Sequence, residues 1–227
     1  MRVDIRTATV VPLEGVPGVF TDRHRLFTVN AAPGRSVYGE WLVVQEGVEY
    51  RAWDPNRSKL AAMIIAGARG FGISPGSNVL YLGAASGTTA SHVSDIVSGG
   101  VVTCVEFSQR SFRDLVGVCE SRPNMIPIMA DASLPEGYAG LVESVDVVYQ
   151  DIAQRDQAEI FARNMGAFEA ERGILMVKSR SVSIASEPSQ VFDKVARALT
   201  SSGMRVTGVV DIGRFAGDHA ALMVEGR

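Results

Sequence analysis

Between Asn78 and Ser202 short apolar runs alternate with segments of helical period, and this alternation constrains the fold more than any other feature of the chain. NVLYL (78–82) precedes TTASHVSDIV (88–97), VVTCVEF (101–107) precedes QRSFRDLVGVCES (109–121), and NMIPIM (124–129) precedes a loop. VDVVY (145–149) then precedes QAEIFARNMGAF (157–168), and GILMVK (173–178) precedes EPSQVFDKVARALTSS (187–202). Five strand-then-crossover units in a row require a parallel sheet with helices on both faces, since each crossover must return over a face to start the next strand. The last helix has a start signal, Ser186 as cap with Pro188 in the first turn. MRVTGVVDI (204–212) and HAALMVE (219–225), separated by Gly213 to Gly217, are expected to pair antiparallel at one side of the sheet.

Upstream the rhythm differs. VDIRTATVV (3–11), GVFTD (18–22), RLFTVN (25–30), WLVVQ (41–45) and VEYRAW (48–53) are short β-like runs broken by turn residues, with Glu46-Gly47 between the last two and a loop over Asn30–Gly39. This reads as a small antiparallel β domain over residues 1–54, followed by an α/β domain over 55–227. After Pro55 the period turns helical in SKLAAMIIAGARGF (58–71), with Leu60, Ile64 and Ala68 on one stripe and Asn56 or Ser58 as cap. With 46% of 227 residues hydrophobic and 21% charged, the chain can bury one large core plus a small appendage. No apolar run approaches the roughly 20 residues that span a bilayer, and no basic region feeds an apolar stretch at the N-terminus, so neither a membrane anchor nor a secretory signal is expected. Cys104 and Cys119 lack paired metal-ligand spacing and read as buried thiols of a cytoplasmic protein; no metal site is expected.

In an open parallel sheet ligands bind beyond the carboxyl ends of the strands. The first end runs Leu82-Gly83-Ala84-Ala85-Ser86-Gly87-Thr88-Thr89, where glycine lets backbone approach a ligand and the helix start offers free N–H groups. It departs from the dinucleotide fingerprint G-x-G-x-x-G, with Ala85 at the second glycine position, and no Lys follows Gly87 as a Walker-type phosphate loop needs. The second strand ends in Glu106-Phe107, 23 residues after Gly83, a spacing at which a carboxylate accepts hydrogen bonds from ribose hydroxyls, and Phe107 can lie against a base. The third ends in Asp131-Ala132, within reach of an adenine edge. Singly, each acid reads as a solvated group or helix cap; at successive strand ends they describe an adenosine pocket without a pyrophosphate cradle, which favours S-adenosylmethionine over NAD.

The fourth strand ends in Tyr149-Gln150-Asp151 and the fifth in Val177-Lys178. Methyl transfer to a hydroxyl needs the acceptor oxygen oriented and deprotonated during or after attack. A lysine with a desolvated amine can take that proton, and a charged one can stabilise the developing alkoxide; both readings of Lys178 stand. Structurally, Asp151 can equally be a helix cap and Lys178 a solvated strand end. Taken alone, Lys59 reads as one charge on an amphipathic helix and His219 as a polar residue at a strand edge.

The run Val79 to Asp95 resembles the signature of the fibrillarin family, the methyltransferase subunits of box C/D ribonucleoproteins. Further stretches agree in order: Trp53 to Lys59, Val105 to Ser108, Asp131-Ala132, Asp151 to Gln154, Val177 to Ser181, and Asp218 to Ala220. The resemblance implies a Rossmann-like class I methyltransferase, a seven-stranded mostly parallel sheet, behind a small N-terminal β domain. It implies an S-adenosylmethionine site at Gly83, Ala85, Thr88, Thr89, Glu106, Phe107, Asp131 and Ala132, with Asp151 and Gln154 near the methyl donor. It implies a catalytic set of Lys59, Asp151, Lys178 and His219, in which Lys59 orients ribose or phosphate. The implied activity is 2′-O-methylation of ribose in rRNA or tRNA. The implied partners are a guide RNA, the target RNA, a coiled-coil scaffold of the Nop family and a kink-turn-binding ribosomal-type protein. A net charge of −3 fits that division of labour, because a protein gripping RNA alone usually carries a basic excess. No Gly/Arg-rich tail precedes the β domain, so the chain resembles the archaeal form and not a nucleolar one. The competing readings are a non-catalytic assembly subunit of the same particle and a nucleotide-dependent oxidoreductase, the latter disfavoured by Ala85.

Overall fold

The computed structural model describes residues 9–183 and 185–226. Residues 3–8 of the first expected strand lie outside them; of its described residues 9–11 only Val11 is in a strand, β1 (Val11–Pro12). β2 (Val19–Thr21), β3 (Leu26–Val29), β4 (Leu42–Gln45) and β5 (Val48–Trp53) complete a five-stranded antiparallel sheet in the order β1-β2-β3-β5-β4. Gln45 faces Val48, so Glu46 and Gly47 alone make the β4–β5 turn, both with positive φ, as a type I′ hairpin demands.

The remainder is α1 (Lys59–Ile65), β6 (Val79–Leu82), α2 (Thr88–Ile96), β7 (Val102–Glu106), α3 (Gln109–Cys119), β8 (Met125–Met129), β9 (Val147–Gln150), α4 (Gln157–Ala167), β10 (Arg172–Lys178), α5 (Ser179–Val182), α6 (Pro188–Ser201), β11 (Arg205–Asp211), α7 (Gly213–Ala216) and β12 (His219–Glu225). Its seven strands form one sheet in the order β11-β12-β10-β9-β6-β7-β8, parallel except where β12 runs against both neighbours. This is the expected α/β class, with the expected antiparallel pair at one edge. Strand parity divides the core. Tyr81, Cys104, Tyr149, Ile174 and Met176 pack with α1, α2 and α3, while Leu80, Leu82, Val105, Leu175 and Val177 pack with α4 and α6. Burial holds the Cys104 thiol well above its ordinary pKa and pushes Cys119 up to about 11, so both stay protonated.

Three local expectations need correction. Ser186 does not cap α6: Glu187 holds the N-cap position, Pro188 follows at the first helical position, and the Ser186 hydroxyl meets that of Ser183 at 2.8 Å. Ser58 does cap α1, accepting from the Ala61 amide, but the helix stops at Ile65, because Gly67 turns the chain at φ +102° and carries Ala68 onto the core by a loop. The connection after β8 contains two short 3₁₀ turns, Pro135–Gly137 and Ala139–Leu141.

The two sheets meet through a buried polar cluster on α2. Asp95 accepts from the Thr28 hydroxyl (2.7 Å), the Ala31 amide (3.0 Å), Arg51 (2.8 Å) and Arg122 (2.5 Å). Both guanidiniums are fully buried, and Arg51 also bonds Glu40 (2.7 Å) and Ser91 (3.1 Å). Because the Thr28 hydroxyl donates to Asp95, it can only accept from Nδ1 of His92, 2.8 Å away, while Nε2 meets at 2.8 Å the Tyr38 hydroxyl, which also reaches the Ala52 carbonyl at 3.1 Å. His92 thus carries a proton on Nδ1 and is stacked 4.8 Å from the Trp53 ring. Burial, reinforced by Arg51 and Arg122, drives its pKa well below the usual value.

A stability prediction follows with a definite sign. Below about pH 6.5 the unfolded chain protonates His92 and the folded chain does not, so stability falls as pH drops from 7 towards 5, by at most about 1.4 kcal/mol per unit for one proton. Glu40, whose pKa is lowered by the Tyr38 amide and Arg51 against the opposing effect of burial, adds to the loss only below its ordinary 4.5. Urea midpoints measured from pH 7 to 5 should show this slope in the native chain and a flatter one in His92→Gln. Asp95→Ala, which strands two buried cations, should cost about 3–5 kcal/mol in the same titration.

Candidate active site

Register brings the candidate residues to one edge. Leu82 pairs with Val105 on one side and Gln150 on the other, and Gln150 pairs with Leu175. Gly83, Glu106 and Asp151 thus emerge at one level, and Lys178 stands two residues beyond Met176, about 7 Å further along β10. Parity puts all of them on the face that carries α1. β6 is also where the strand order reverses, the position at which open α/β sheets bind ligands.

The turn after β6 is built for close approach. Gly83 has φ +79°, and a Cβ there would stand 2.5 Å from the carbonyl oxygen of Asp151. Ala85, although not glycine, sits at φ +49°, held by its amide on Glu106 Oε2 at 2.8 Å. Gly87 at φ +86° begins α2 with no side-chain cap, leaving the first-turn amides to another acceptor. Glu106 takes a second amide, Ser108, on Oε1 at 2.7 Å, and keeps lone pairs on both oxygens for donors such as ribose hydroxyls. Beside it Phe107, 72% exposed, and Met129 flank a cleft of about 420 Å³ that Asp131 closes, its own carboxylate accepting from the Ser133 amide. Ala132 lies buried behind Asp131.

Asp151 does not cap a helix; Asp156 holds that position before α4. Its two carboxylate oxygens each lie 2.7 Å from Nζ of Lys59, which reaches across from the first residue of α1. α1 and α2 are pinned together here, since Thr89 donates to the Oγ of Ser58 at 3.0 Å, the same atom that caps α1. Thr88 is the first residue of α2 and only partly buried. Underneath, Tyr81 and Tyr149 lie ring to ring at 4.4 Å; burial, aided by the Asp151 charge, holds both phenols well above the ordinary range and neutral.

Lys178 is exposed and, among the described residues, its amine has no hydrogen bond or ion pair; the pair formed in the structure is Lys59 with Asp151. His219 is the cross-strand partner of Lys178. Its Nδ1 lies on the Gly217 carbonyl, which can only accept, so Nδ1 carries a proton. Gln154 is exposed on the loop after β9, its carbonyl accepting from the side chain of Gln157 at 3.0 Å. Sequence reasoning missed Gln157. Its fully buried carboxamide also meets the backbone N and O of Lys178 at 3.3 and 3.4 Å, and so ties the loop carrying Gln154 to the end of β10. A glutamine in the first turn of an ordinary helix gives no warning of that role.

The strand order, the small-residue turn after β6 and the carboxylates at successive strand ends together define a Rossmann-like class I methyltransferase fold. The model of the Fibrillarin family matches residues 10–227, and the chain belongs to that family. It is 50% identical over 228 residues to the fibrillarin-like rRNA/tRNA 2′-O-methyltransferase of Methanopyrus kandleri, covering 98% of each chain. Aeropyrum pernix fibrillarin, solved in complex with natively bound S-adenosyl-L-methionine, superposes with a TM-score of 0.87 at 40% identity over 95% of this chain and 97% of the other. A fibrillarin/Nop5p complex superposes with a TM-score of 0.82 at 39% identity over 92% and 98%.

Gly83→Ala should lower stability by about 1–3 kcal/mol or more, because it adds a left-handed non-glycine residue and a clash with backbone that cannot swing away. Gly137→Ala, where nothing lies within 4 Å of the added carbon, serves as the control and should leave the thermal midpoint nearly unchanged.

Proposed function

We propose that this chain is the catalytic subunit of a guide-RNA-directed box C/D ribonucleoprotein, an enzyme that moves a methyl group from S-adenosylmethionine to a ribose 2′-hydroxyl of rRNA or tRNA. The observation that carries the reading is the Lys59–Asp151 contact at the lip of the Gly83 turn: a carboxylate held by an ammonium, beside a cradle that any larger residue would fill. The residues present fit the cofactor. Glu106 retains acceptor capacity for the ribose, Phe107 and Asp131 border the cleft that would take the adenine with Ala132 buried next to it, and Gly83, Ala85, Thr88 and Thr89 form the turn that would receive the amino acid portion. Asp151 and Gln154 would stand nearest the methyl donor. When bound, S-adenosylmethionine supplies an electrophilic methyl on a positively charged sulfur.

The protein's own groups must then position the acceptor and remove its proton. Lys59 fixes the Asp151 carboxylate through both oxygens, and their remaining lone pairs accept from the 2′-hydroxyl and aim its oxygen. The free ammonium of Lys178 stabilises the oxygen as negative charge develops. The hydroxyl proton, donated to Asp151, stays with that carboxylate as the methyl transfers, and His219, the fourth member of the proposed set, stands next to Lys178 across the ladder.

The partners follow from the same reading: guide and target RNA, a Nop-family scaffold and a kink-turn-binding protein, with residues 1–54 as a small β domain joined to the catalytic one at 55–227. Support comes from the M. kandleri relative's name, from the Nop5p complex of a 39%-identical fibrillarin, and from a net charge of −3 that leaves phosphate binding to other subunits. Two protonated, unpaired thiols suit a reducing cytoplasm. Among the described residues no helix is long and apolar enough to cross a membrane.

Two measurements test this. In the particle reconstituted with scaffold, kink-turn protein, guide and labelled S-adenosylmethionine, Asp151→Ala and Lys178→Ala should each reduce site-specific methylation by about 10²–10⁴-fold, and wild-type turnover in both would remove the proposed roles. The chain alone with target RNA should methylate no defined site. Calorimetry that detects no S-adenosylmethionine binding would favour a non-catalytic assembly subunit.

A further inference from the structure

Helix α4 packs on the face of the sheet opposite α1, yet one of its side chains reaches the turn after β8 at the candidate cofactor site. Asn164 is fully buried in α4 among Ile160, Phe161 and Met165, an apolar setting in which an unpaired carboxamide is costly. Every one of its polar hydrogens is used. Nδ2 donates to the Ile160 carbonyl and to the Ala132 carbonyl, each at 2.9 Å, and Oδ1 accepts from the Tyr138 hydroxyl. The Ile160 bond is the local one a mid-helix asparagine makes, whereas the Ala132 bond spans 32 residues and joins α4 to the site. Tyr138 is buried with its ring centre 5.8 Å from that of Phe168, and burial raises its pKa, so the phenol keeps its proton and fixes which end of the carboxamide faces Ala132.

Asn164 completes the pinning of that turn. The carbonyls of Asp131, Ala132 and Ser133 are all engaged, the first by the Leu134 amide at 3.0 Å, the second by Asn164 and the third by the Arg163 guanidinium. The Asp131 carboxylate takes the Ser133 amide on Oδ1 at 2.8 Å and keeps Oδ2 as an acceptor. The Ala132 amide, in the peptide that follows Asp131, has no acceptor among the described residues. A free donor and a free acceptor thus stand one residue apart at the wall of the cleft that Phe107 and Asp131 line.

We propose that Asn164, oriented by Tyr138, is the positioning residue that gives this cleft its preference for adenine over other purines. It acts through the Ala132 carbonyl, holding the Ala132 amide and the Asp131 carboxylate at the spacing of adenine's N1 acceptor and N6 amine. The inference rests on the S-adenosylmethionine reading above. An aromatic face such as Phe107 accepts any base, so discrimination has to come from hydrogen-bonding groups fixed in space. Hypoxanthine reverses both partners on that edge, carrying N1–H and a carbonyl at position 6. In a turn that cannot shift, it sets N–H against N–H and carbonyl against carboxylate, and both pairs go unsatisfied.

Calorimetry on the full chain tests this with S-adenosylhomocysteine and S-inosylhomocysteine, which differ only at that edge and need neither RNA nor turnover. The wild-type chain should bind the adenine compound about ten-fold more tightly or better. Asn164→Leu, which keeps the branched shape and removes all three bonds, should weaken the adenine compound about ten-fold and the inosine compound less than about two-fold, so that discrimination is lost. Tyr138→Phe, which keeps the ring and removes one hydroxyl, should narrow discrimination about three-fold. A residue that merely supports the fold would weaken both compounds alike. Equal loss for both compounds, unchanged discrimination in a folded variant, or a wild-type chain that binds the two equally would each overturn the proposal. If Asn164→Leu does not fold, Tyr138→Phe decides between the outcomes. A wild-type chain that binds neither compound, nor S-adenosylmethionine, would instead overturn the functional reading.

Discussion

Asp95 is the group on which the arrangement of the molecule depends. It is a buried carboxylate shared by two buried arginines, one from the N-terminal sheet and one from the turn after α3, with a threonine hydroxyl and a backbone amide completing its coordination. Removing an arginine leaves charge uncompensated in a low-dielectric interior and removing a neutral donor leaves a buried acceptor unpaired, so the elements that supply the donors are held in a single relative geometry. Asp95 lies near the end of α2, and the first turn of the same helix is the Gly87-Thr88-Thr89 segment of the candidate cofactor site. One helix therefore joins the two sheets at one end and shapes the pocket at the other. The small N-terminal sheet, which holds none of the residues at the strand ends, still fixes their setting.

The same economy operates at Ser58. Its hydroxyl oxygen caps α1 and accepts from Thr89, so the helix that delivers Lys59 and the helix that opens the cofactor turn share one atom. Lys59 then crosses to Asp151, at the end of a strand 92 residues later in the chain. Close packing of Gly83 against the Asp151 carbonyl completes the circuit, so that a displacement of β9 is felt by β6 and, through Lys59, by α1. A site assembled this way is preorganised by backbone and buried hydrogen bonds, which is what positions a hydroxyl for in-line attack.

The sheet was legible because strand-helix alternation has almost one solution, and the edge pair because two apolar runs flank a glycine-bounded turn. The β4–β5 hairpin was legible from Glu46-Gly47 alone. What escaped was tertiary pairing. Asp151 and Lys178 sit at neighbouring strand ends and invite pairing, yet ladder register sets Lys178 two residues further out, and Asp151 takes the amine that α1 brings to its level. Arg51, His92 and Arg122 look in sequence like a strand polar residue, a helix-face histidine and a turn cation; only burial makes them a cluster. Ser186 and Glu187 show how little local chemistry decides: Pro188 starts the helix wherever the chain approaches it, and the serine side chain finds Ser183 instead.

The proposed action on RNA poses a question of where attraction comes from, since a net charge of −3 repels a polyanion at a distance. Much of the acid here is already spent. Asp95 and Glu40 face buried guanidiniums, Asp151 faces Lys59, and Asp22 faces Arg25, so these carboxylates contribute little field outside the protein. Lys178 and Arg57, by contrast, lack carboxylate partners among the described residues, one at the end of β10 and one just before α1. Screening at physiological salt limits their reach to about 8 Å, too short to steer RNA from solution but enough to hold a strand already delivered. That range suits the arrangement proposed above, in which other subunits bring the RNA, better than capture of RNA by this chain unaided.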